Sequence, residues 1–181
     1  FALFFRVAGN GTEILARKRS GDRLYILGPL GRGFTVTAAA RGETSYLVGG
    51  GRGIAPLYFL ARELTKAGAR PVVFYGGRTL ADIPIRERFE RAGIDLRCST
   101  DDGSFGFAGF VTALVDQELS KGKPAIVYAC GPDPMMRALA GIAAEHAVPA
   151  EFSLESVMGC GIGACWGCVH RIKNERGDGW V

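Results

Sequence analysis

The sequence predicts an α/β fold: a doubly wound parallel sheet, preceded by part of a β-barrel and followed by a small arm. Three observations carry this. Four short apolar runs bounded by Gly or Pro read as buried strands, at residues 44–50 (TSYLVGG), 70–77 (RPVVFYGG), 94–100 (IDLRCST) and 124–131 (PAIVYACG). Helical patterns occupy residues 55–68, 85–93, 110–122 and 134–147. Strand alternating with helix demands parallel strands with both faces of the sheet covered.

Taken in order, residues 1–40 read as β-structure. FALFFRV (1–7) is a strand, GNGT (9–12) a turn, and DRLYILGPLGRGF (22–34) a strand running into a glycine-laden loop. This is too little for a closed barrel. Residues 41–150 hold the parallel sheet. In its first helix Leu57, Leu60, Ala61 and Leu64 recur at i, i+3, i+4 and i+7 and predict one buried stripe. Gly68 and Gly93 are placed to end helices. Residues 151–181 form a third zone containing the cysteine loop. The chain opens as if in mid-strand and stops after a strand-like segment, so both ends are expected to be truncated.

Of the 181 residues, 48% are hydrophobic and 22% charged, enough for one sizeable core or two small ones. The net charge of +4 is interspersed, with no basic run interleaved with aromatics, which argues against nucleic acid. No apolar stretch reaches the length of a membrane span, and residues 1–30 do not read as a signal peptide, although the true start is expected to precede Phe1. Cys98, Cys130, Cys160, Cys165 and Cys168 make an odd count, three of them crowded together. That suits no secreted disulfide framework and points to the reducing cytoplasm.

Gly49, Gly50, Gly51 and Gly53 lie between the first strand and its helix. Glycines there let backbone amides approach a diphosphate, and the helix start adds partial positive charge and unpaired N–H groups. The fingerprint G-x-G-x-x-G is altered at its last position, where Pro56 stands in the first helical turn and its missing N–H costs little. A tight strand-to-helix turn without a ligand is the plainer alternative. Favouring a site, GGR (76–78), STDDGS (99–104, with Asp101) and CGPDPMM (130–136, with Cys130, Gly131 and Pro132) fall at carboxyl ends of other strands, on the rim where doubly wound sheets bind nucleotides. Cys130 reads as a small residue beside a planar ligand. With only His146 and His170 in the chain, a Cys–His nucleophile pair has no support, and no catalytic residue is assigned. Arg78 is either a contact to a 2′-phosphate or a solvated turn residue, so NAD is only weakly favoured over NADP.

Cys160, Cys165 and Cys168 have the spacing C-x4-C-x2-C of plant-type [2Fe–2S] proteins. Gly159, Gly161, Gly163 and Gly167 between them let the loop wrap tightly and aim N–H groups at sulfur. The competing expectation is a Cys3His zinc site completed by His170, two residues past Cys168.

In order along the chain, GGGRGIAP, TDDGSFGFAGFVT and CGPDPMMRAL resemble the nucleotide domain of the ferredoxin reductase-like flavoproteins. SLESVMGCGIGACWGCV is similar to the electron-transfer subunits of two-subunit, NAD-linked dihydroorotate dehydrogenases. The resemblance covers essentially the whole chain. It implies a β-barrel for FAD over residues 1–40, an NAD-binding α/β domain over 41–150 and a [2Fe–2S] arm over 151–181. Phe4, Phe5 and Arg6 match the aromatic-Arg strand of the flavin site, and Gly11 and Thr12 its G-T turn; read alone, Gly11 and Thr12 make an ordinary turn. The Arg-Pro-x-Ser flavin motif is absent here and would precede Phe1. Gly51 and Gly53 would cradle the diphosphate and Cys130 would neighbour the nicotinamide. Cys160, Cys165 and Cys168 would hold iron, with a fourth Cys after a short hairpin, beyond Val181. The resemblance further implies a cytoplasmic heterotetramer for pyrimidine biosynthesis, with electrons passing between NAD(H), FAD, the cluster and a partner catalytic subunit bearing FMN. A related subunit serving ferredoxin or sulfur reduction is an alternative, and a zinc-bearing nucleotide sensor is a non-enzymatic one.

Overall fold

Six parallel strands in the order β4-β3-β2-β1-β5-β6 make the main sheet. The structure is a computed structural model and describes residues 2–36, 39–174 and 177–180. The chain divides into two compact units, Phe34–Glu155 and the pair of segments Phe1–Gly33 and Ser156–Val181.

In the larger unit the strands are β1 (Thr44–Gly50), β2 (Arg70–Gly77), β3 (Asp95–Thr100), β4 (Phe107–Ala108), β5 (Ile126–Cys130) and β6 (Ala150–Ser153). They alternate with helices α2 (Ile54–Lys66), α3 (Arg86–Arg91), α4 (Val111–Lys121) and α5 (Asp133–Glu145). The expected strands and helices are therefore formed. Leu57, Ala61 and Leu64 are fully buried and Leu60 nearly so, as the stripe predicts. Gly68 and Gly93 follow their helices at φ 89° and 67°, the left-handed conformation that ends a helix without a Cβ penalty.

Alternation along the strands sends Tyr46, Val48, Val72, Phe74, Val127 and Ala129 to one core, packed against Val111, Val115 and Leu119 of α4 and Met136 and Leu139 of α5. The edges are short, two residues in β4 and four in β6, which limits unpaired backbone. The sheet grows outward from β1 in two directions, so β1 and β5 flank the point where the strand order reverses.

One boundary moves. Ala150–Ser153 pairs in parallel with Val127–Cys130, so the sheet runs past residue 150 and the larger unit ends at Glu155. Near its start, Tyr128 donates a hydrogen bond to the Thr35 carbonyl (2.7 Å), and the Thr35 N–H donates to Glu151 (3.0 Å).

The smaller unit departs from expectation. Among the described residues, none from 2 to 36 forms a strand; instead Asn10–Ala16 is a short helix, α1. A strand exists through its ladder, and apolar alternation in FALFFRV and DRLYIL has no described ladder partner. Thr12 fixes the helix entry, accepting from the Ala8 N–H (2.8 Å) and donating to the Gly9 carbonyl (2.9 Å). At the other end β7 (Arg171–Asn174) and β8 (Gly177–Trp180) form the expected antiparallel hairpin. No helix among the described residues is long and apolar enough to cross a membrane.

Candidate functional site

A cavity of about 510 Å³ opens at the carboxyl rim of the main sheet. Gly50 and Gly51 line it from the end of β1 and the residue after it, Gly76, Gly77 and Arg78 from the end of β2 and the residue after it, and Asp101 from just past β3. Pro132 and Met135 close the β5 side. All three loops expected at this rim, after β2, β3 and β5, contribute. The cavity therefore spans the point where the strand order reverses, the place this topology reserves for ligands.

Three helix N-termini face it: Arg52 just before α2, Phe110 to Thr112 at the start of α4, and Pro132, Pro134 and Met135 at the start of α5. The first turns of α2 and α4 have no capping side chain and no acidic residue, leaving N–H groups and positive partial charge for an anion. Gly51, at φ 54°, opens the short 3-10 turn Gly51–Gly53 that leads into α2, and nothing crowds the position of its missing Cβ. Gly53 is the opposite case, because a Cβ there would strike the Cys130 carbonyl and lie 2.7 Å from the Gly131 nitrogen. A Cβ on Gly50 would meet Met135 Sδ at 2.7 Å, and one on Gly131 would meet Met135 Cε at 2.6 Å. The glycines thus bring the β1 and β5 loops into backbone contact.

Gly49, Gly53, Pro56, Cys130 and Gly131 do not line the cavity. Gly49 lies against Ile54, and Pro56 is exposed in the first turn of α2. Cys130 ends β5 and is buried; burial pushes its thiol pKa up, opposed by a hydrogen bond with Ser153. That environment holds a neutral thiol, in keeping with a packing role. Cys98 is also buried within the sheet, its thiol pushed up to about 11 by burial. His146 is only half-buried, just past α5, and its Nε2 lies 2.7 Å from Asp116.

Sequence reasoning missed Arg52, Asp82, Phe110 and Thr112. Phe110 is 68% exposed yet lines the cavity, an aromatic face offered to a ligand. Its signal was its place, directly after Gly109 where a helix begins at the strand-end level. Asp82 enters through the 3-10 turn Leu80–Asp82, whose Ala81 N–H donates to the Thr79 hydroxyl (3.2 Å). This turn folds Asp82 back onto Arg78: Nε–Oδ2 is 2.9 Å and Nη2–Oδ1 is 3.3 Å. The Arg78 hydrogen bonds hold the Asp82 carboxyl below the usual carboxylate range. Asp102 is used locally, accepting from the Ser104 hydroxyl (2.6 Å), which in turn accepts from the Leu80 N–H (2.9 Å).

In the smaller unit, Phe4 and Thr12 are half-buried and Phe5, Arg6 and Gly11 exposed. The cysteine loop places Cys165 in the open and Cys160 and Cys168 half-buried. Cys160 Sγ accepts from the Ala164 N–H (3.3 Å); with N–H groups of Ile162 and Cys165 also directed at it, the thiol falls to about 6. Gly159 and Gly167 leave room beside Cys165 Sγ, 3.3 and 3.4 Å from where a Cβ would stand. This donor chemistry fits a thiolate-bound cluster. Among the described residues, however, no three His, Cys, Asp or Glu side chains are gathered to hold a metal ion. His170, the histidine of the Cys3His alternative, has its Nε2 engaged with the Ser156 hydroxyl.

The family model described as "Oxidoreductase NAD-binding domain" matches residues 47–141, just over half of the chain. The chain belongs to the oxidoreductase NAD-binding domain family. Its relatives include the electron transfer subunits of dihydroorotate dehydrogenase B (NAD(+)) from Desulforamulus reducens and Bacillus caldolyticus. These are 42% and 45% identical over 174 residues, covering 96% of this chain and 66% of each relative. The chain thus spans just under two thirds of the length of these relatives. Among solved structures, that of an NADH-dependent reduced ferredoxin-NADP oxidoreductase, studied for flavin-based electron bifurcation, aligns at TM-score 0.77 and 31% identity. The match covers 97% of this chain and 62% of that one. A flavohemoglobin from Malassezia yamatoensis with bound FAD and heme shares the fold at TM-score 0.63 and 22% identity, over 83% of this chain and 42% of that one.

Proposed function

We propose that the chain is the nucleotide- and cluster-binding portion of the electron transfer subunit of an NAD-linked dihydroorotate dehydrogenase, acting in the cytoplasm in pyrimidine biosynthesis. The observation that carries this is the likeness to the named subunits over 96% of the chain, taken with the rim cavity beneath three helix N-termini. The backbone of Gly50 and Gly51 and the start of α2 bind the dinucleotide diphosphate, Phe110 faces the adenine, and Gly53, Cys130 and Gly131 hold the β1 and β5 loops together behind the site. Phe4, Phe5, Arg6, Gly11 and Thr12 belong to the FAD site over residues 1–40, and Cys160, Cys165 and Cys168 hold a [2Fe–2S] cluster whose fourth ligand lies outside these residues. The flavin supplies the conversion between two-electron nicotinamide and one-electron iron–sulfur chemistry. The chain's own part is to bind and orient the dinucleotide, and to present the loop's sulfurs, with backbone N–H groups aimed at Cys160 Sγ.

The test is reconstitution. The intact subunit, mixed with the FMN-bearing catalytic subunit of its own organism, is expected to co-purify and to couple dihydroorotate oxidation to NAD+ reduction. A flavin-loaded, iron-loaded subunit that binds no dihydroorotate-oxidising partner and leaves NAD+ unreduced overturns the assignment. The likeness to the ferredoxin-NADP oxidoreductase supports a second reading, a subunit exchanging electrons with ferredoxin, for which ferredoxin reduction by NADH is the assay.

A further inference from the structure

Resting on the reading of the rim cavity as a dinucleotide site, we propose that Asp82, by holding Arg78, makes this cavity reject a dinucleotide that carries a 2′-phosphate. In doubly wound sheets an acidic residue binds the ribose 2′-hydroxyl of NAD, whereas a free arginine accommodates the 2′-phosphate of NADP. Here both residue types line one cavity: the cations are Arg52 and Arg78, the carboxylates Asp82 and Asp101.

Arg78 directly follows β2 and lines the cavity, as a residue contacting a 2′-phosphate would in this topology, but it is already engaged. Asp82 receives two parallel hydrogen bonds from it, at 2.9 and 3.3 Å, the fork geometry that also suits phosphate. A 2′-phosphate must therefore displace a carboxylate of the same binding geometry and then stand beside it. Asp101 adds a second negative charge acting on Arg78. A 2′-hydroxyl brings no charge and can donate to a carboxylate. The pairing is built in by the 3-10 turn Leu80–Asp82 and its Thr79 cap, and Tyr75 holds the turn through the Asp82 carbonyl (3.4 Å).

The experiment compares dissociation constants of NAD+ and NADP+ for the intact, cofactor-loaded subunit by titration calorimetry at fixed ionic strength. The unaltered protein is expected to favour NAD+. Asp82→Asn removes the charge, keeps an acceptor for Arg78, and is expected to shift the ratio of the two dissociation constants about tenfold toward NADP+, a shift that shrinks as salt is raised. Asp82→Glu should restore the preference, and Arg78→Met added to Asp82→Asn should abolish the shift. Melting curves of each variant separate this from misfolding. If Asp82→Asn, folded and still binding NAD+, leaves the ratio of the two constants unchanged, the proposal is overturned and the nucleotide reading stands. A protein that binds neither dinucleotide overturns both.

Discussion

Gly53 packs its α-carbon against the carbonyl of Cys130, joining the loop after β1 to the loop after β5 where the strand order reverses. Both partners in that contact are backbone, so neither can swing aside. Gly53→Ala is expected to destabilise the protein by about 2–3 kcal/mol through overpacking. It should also weaken NAD+ binding, because the start of α2 moves with the loop. Chemical denaturation and calorimetry on one preparation check both. Gly51→Ala should be milder in packing terms, since its strain is conformational, at φ 54°, and no atom stands near its Cβ position.

Phe110 offers its ring to the cavity while remaining largely exposed, so its worth to folding is small and its worth to binding large. Phe110→Ala is expected to weaken NADH binding about tenfold, the order of one lost base–aromatic stack. Stability should change by no more than about 0.5 kcal/mol, because the ring makes little of the core. Phe110→Trp should keep most of the affinity. Equal losses in stability and affinity would show that the ring supports the helix start and not the ligand.

The sheet was legible because each strand is an apolar run cut off by Gly or Pro, and each long helix carries a clear stripe such as Leu57-Leu60-Ala61-Leu64. Periodicity fails where burial is partial. Ala150–Ser153 is a four-residue edge strand, half-buried throughout, and its partner β5 is reached only after a crossover through α5. Residues 1–7 and 22–34 alternate like strands, but strand identity is decided by a neighbour, and alternation names no neighbour. In the site, the glycines were readable because close backbone approach has only one residue type to offer. Asp82 and Phe110 were not, since their roles come from a 3-10 turn and from an exposed ring at a helix start, neither of which has a periodic signature. The cysteine spacing was readable, and the backbone N–H groups at Cys160 Sγ agree with the loop chemistry inferred from its glycines.

Glu118 ties β3 to α4, accepting from Lys121 Nζ (2.7 Å) and pairing with Arg97, whose guanidinium also lies over the Phe74 ring. The Lys121 and Arg97 hydrogen bonds lower its carboxyl from the ordinary value of 4.5. A carboxyl with a lower folded than unfolded pKa stabilises the fold above the unfolded value, and loses that contribution as pH falls through the folded one. Glu118→Gln is therefore expected to lower stability by about 1 kcal/mol at pH 7. Denaturant curves of the two proteins should converge once the pH drops well below 4.5. A difference that persists unchanged at acid pH would mean that packing, and not charge, is what the substitution disturbs.

Cys160, Cys165 and Cys168 share one loop, yet their thiols are not gathered into a metal-binding set among the described residues. In the proposed reading the three sulfurs are brought together by the cluster itself, as in small metal-organised segments whose ligands converge on the ion. The intact, anaerobically purified subunit is expected to hold about two irons and to give a paramagnetic signal after dithionite reduction, as a [2Fe–2S] centre does. Cys160→Ser, Cys165→Ser and Cys168→Ser should each lose most of that iron. Cys98→Ser and Cys130→Ser should keep it, because both thiols are buried in the main sheet. Cys160→Ser should be the most severe, since it removes the sulfur toward which the loop's N–H groups are already aimed. Full iron retained in Cys168→Ser, or zinc in place of iron in the unaltered subunit, would remove the cluster from this arm and leave the nucleotide cavity untouched.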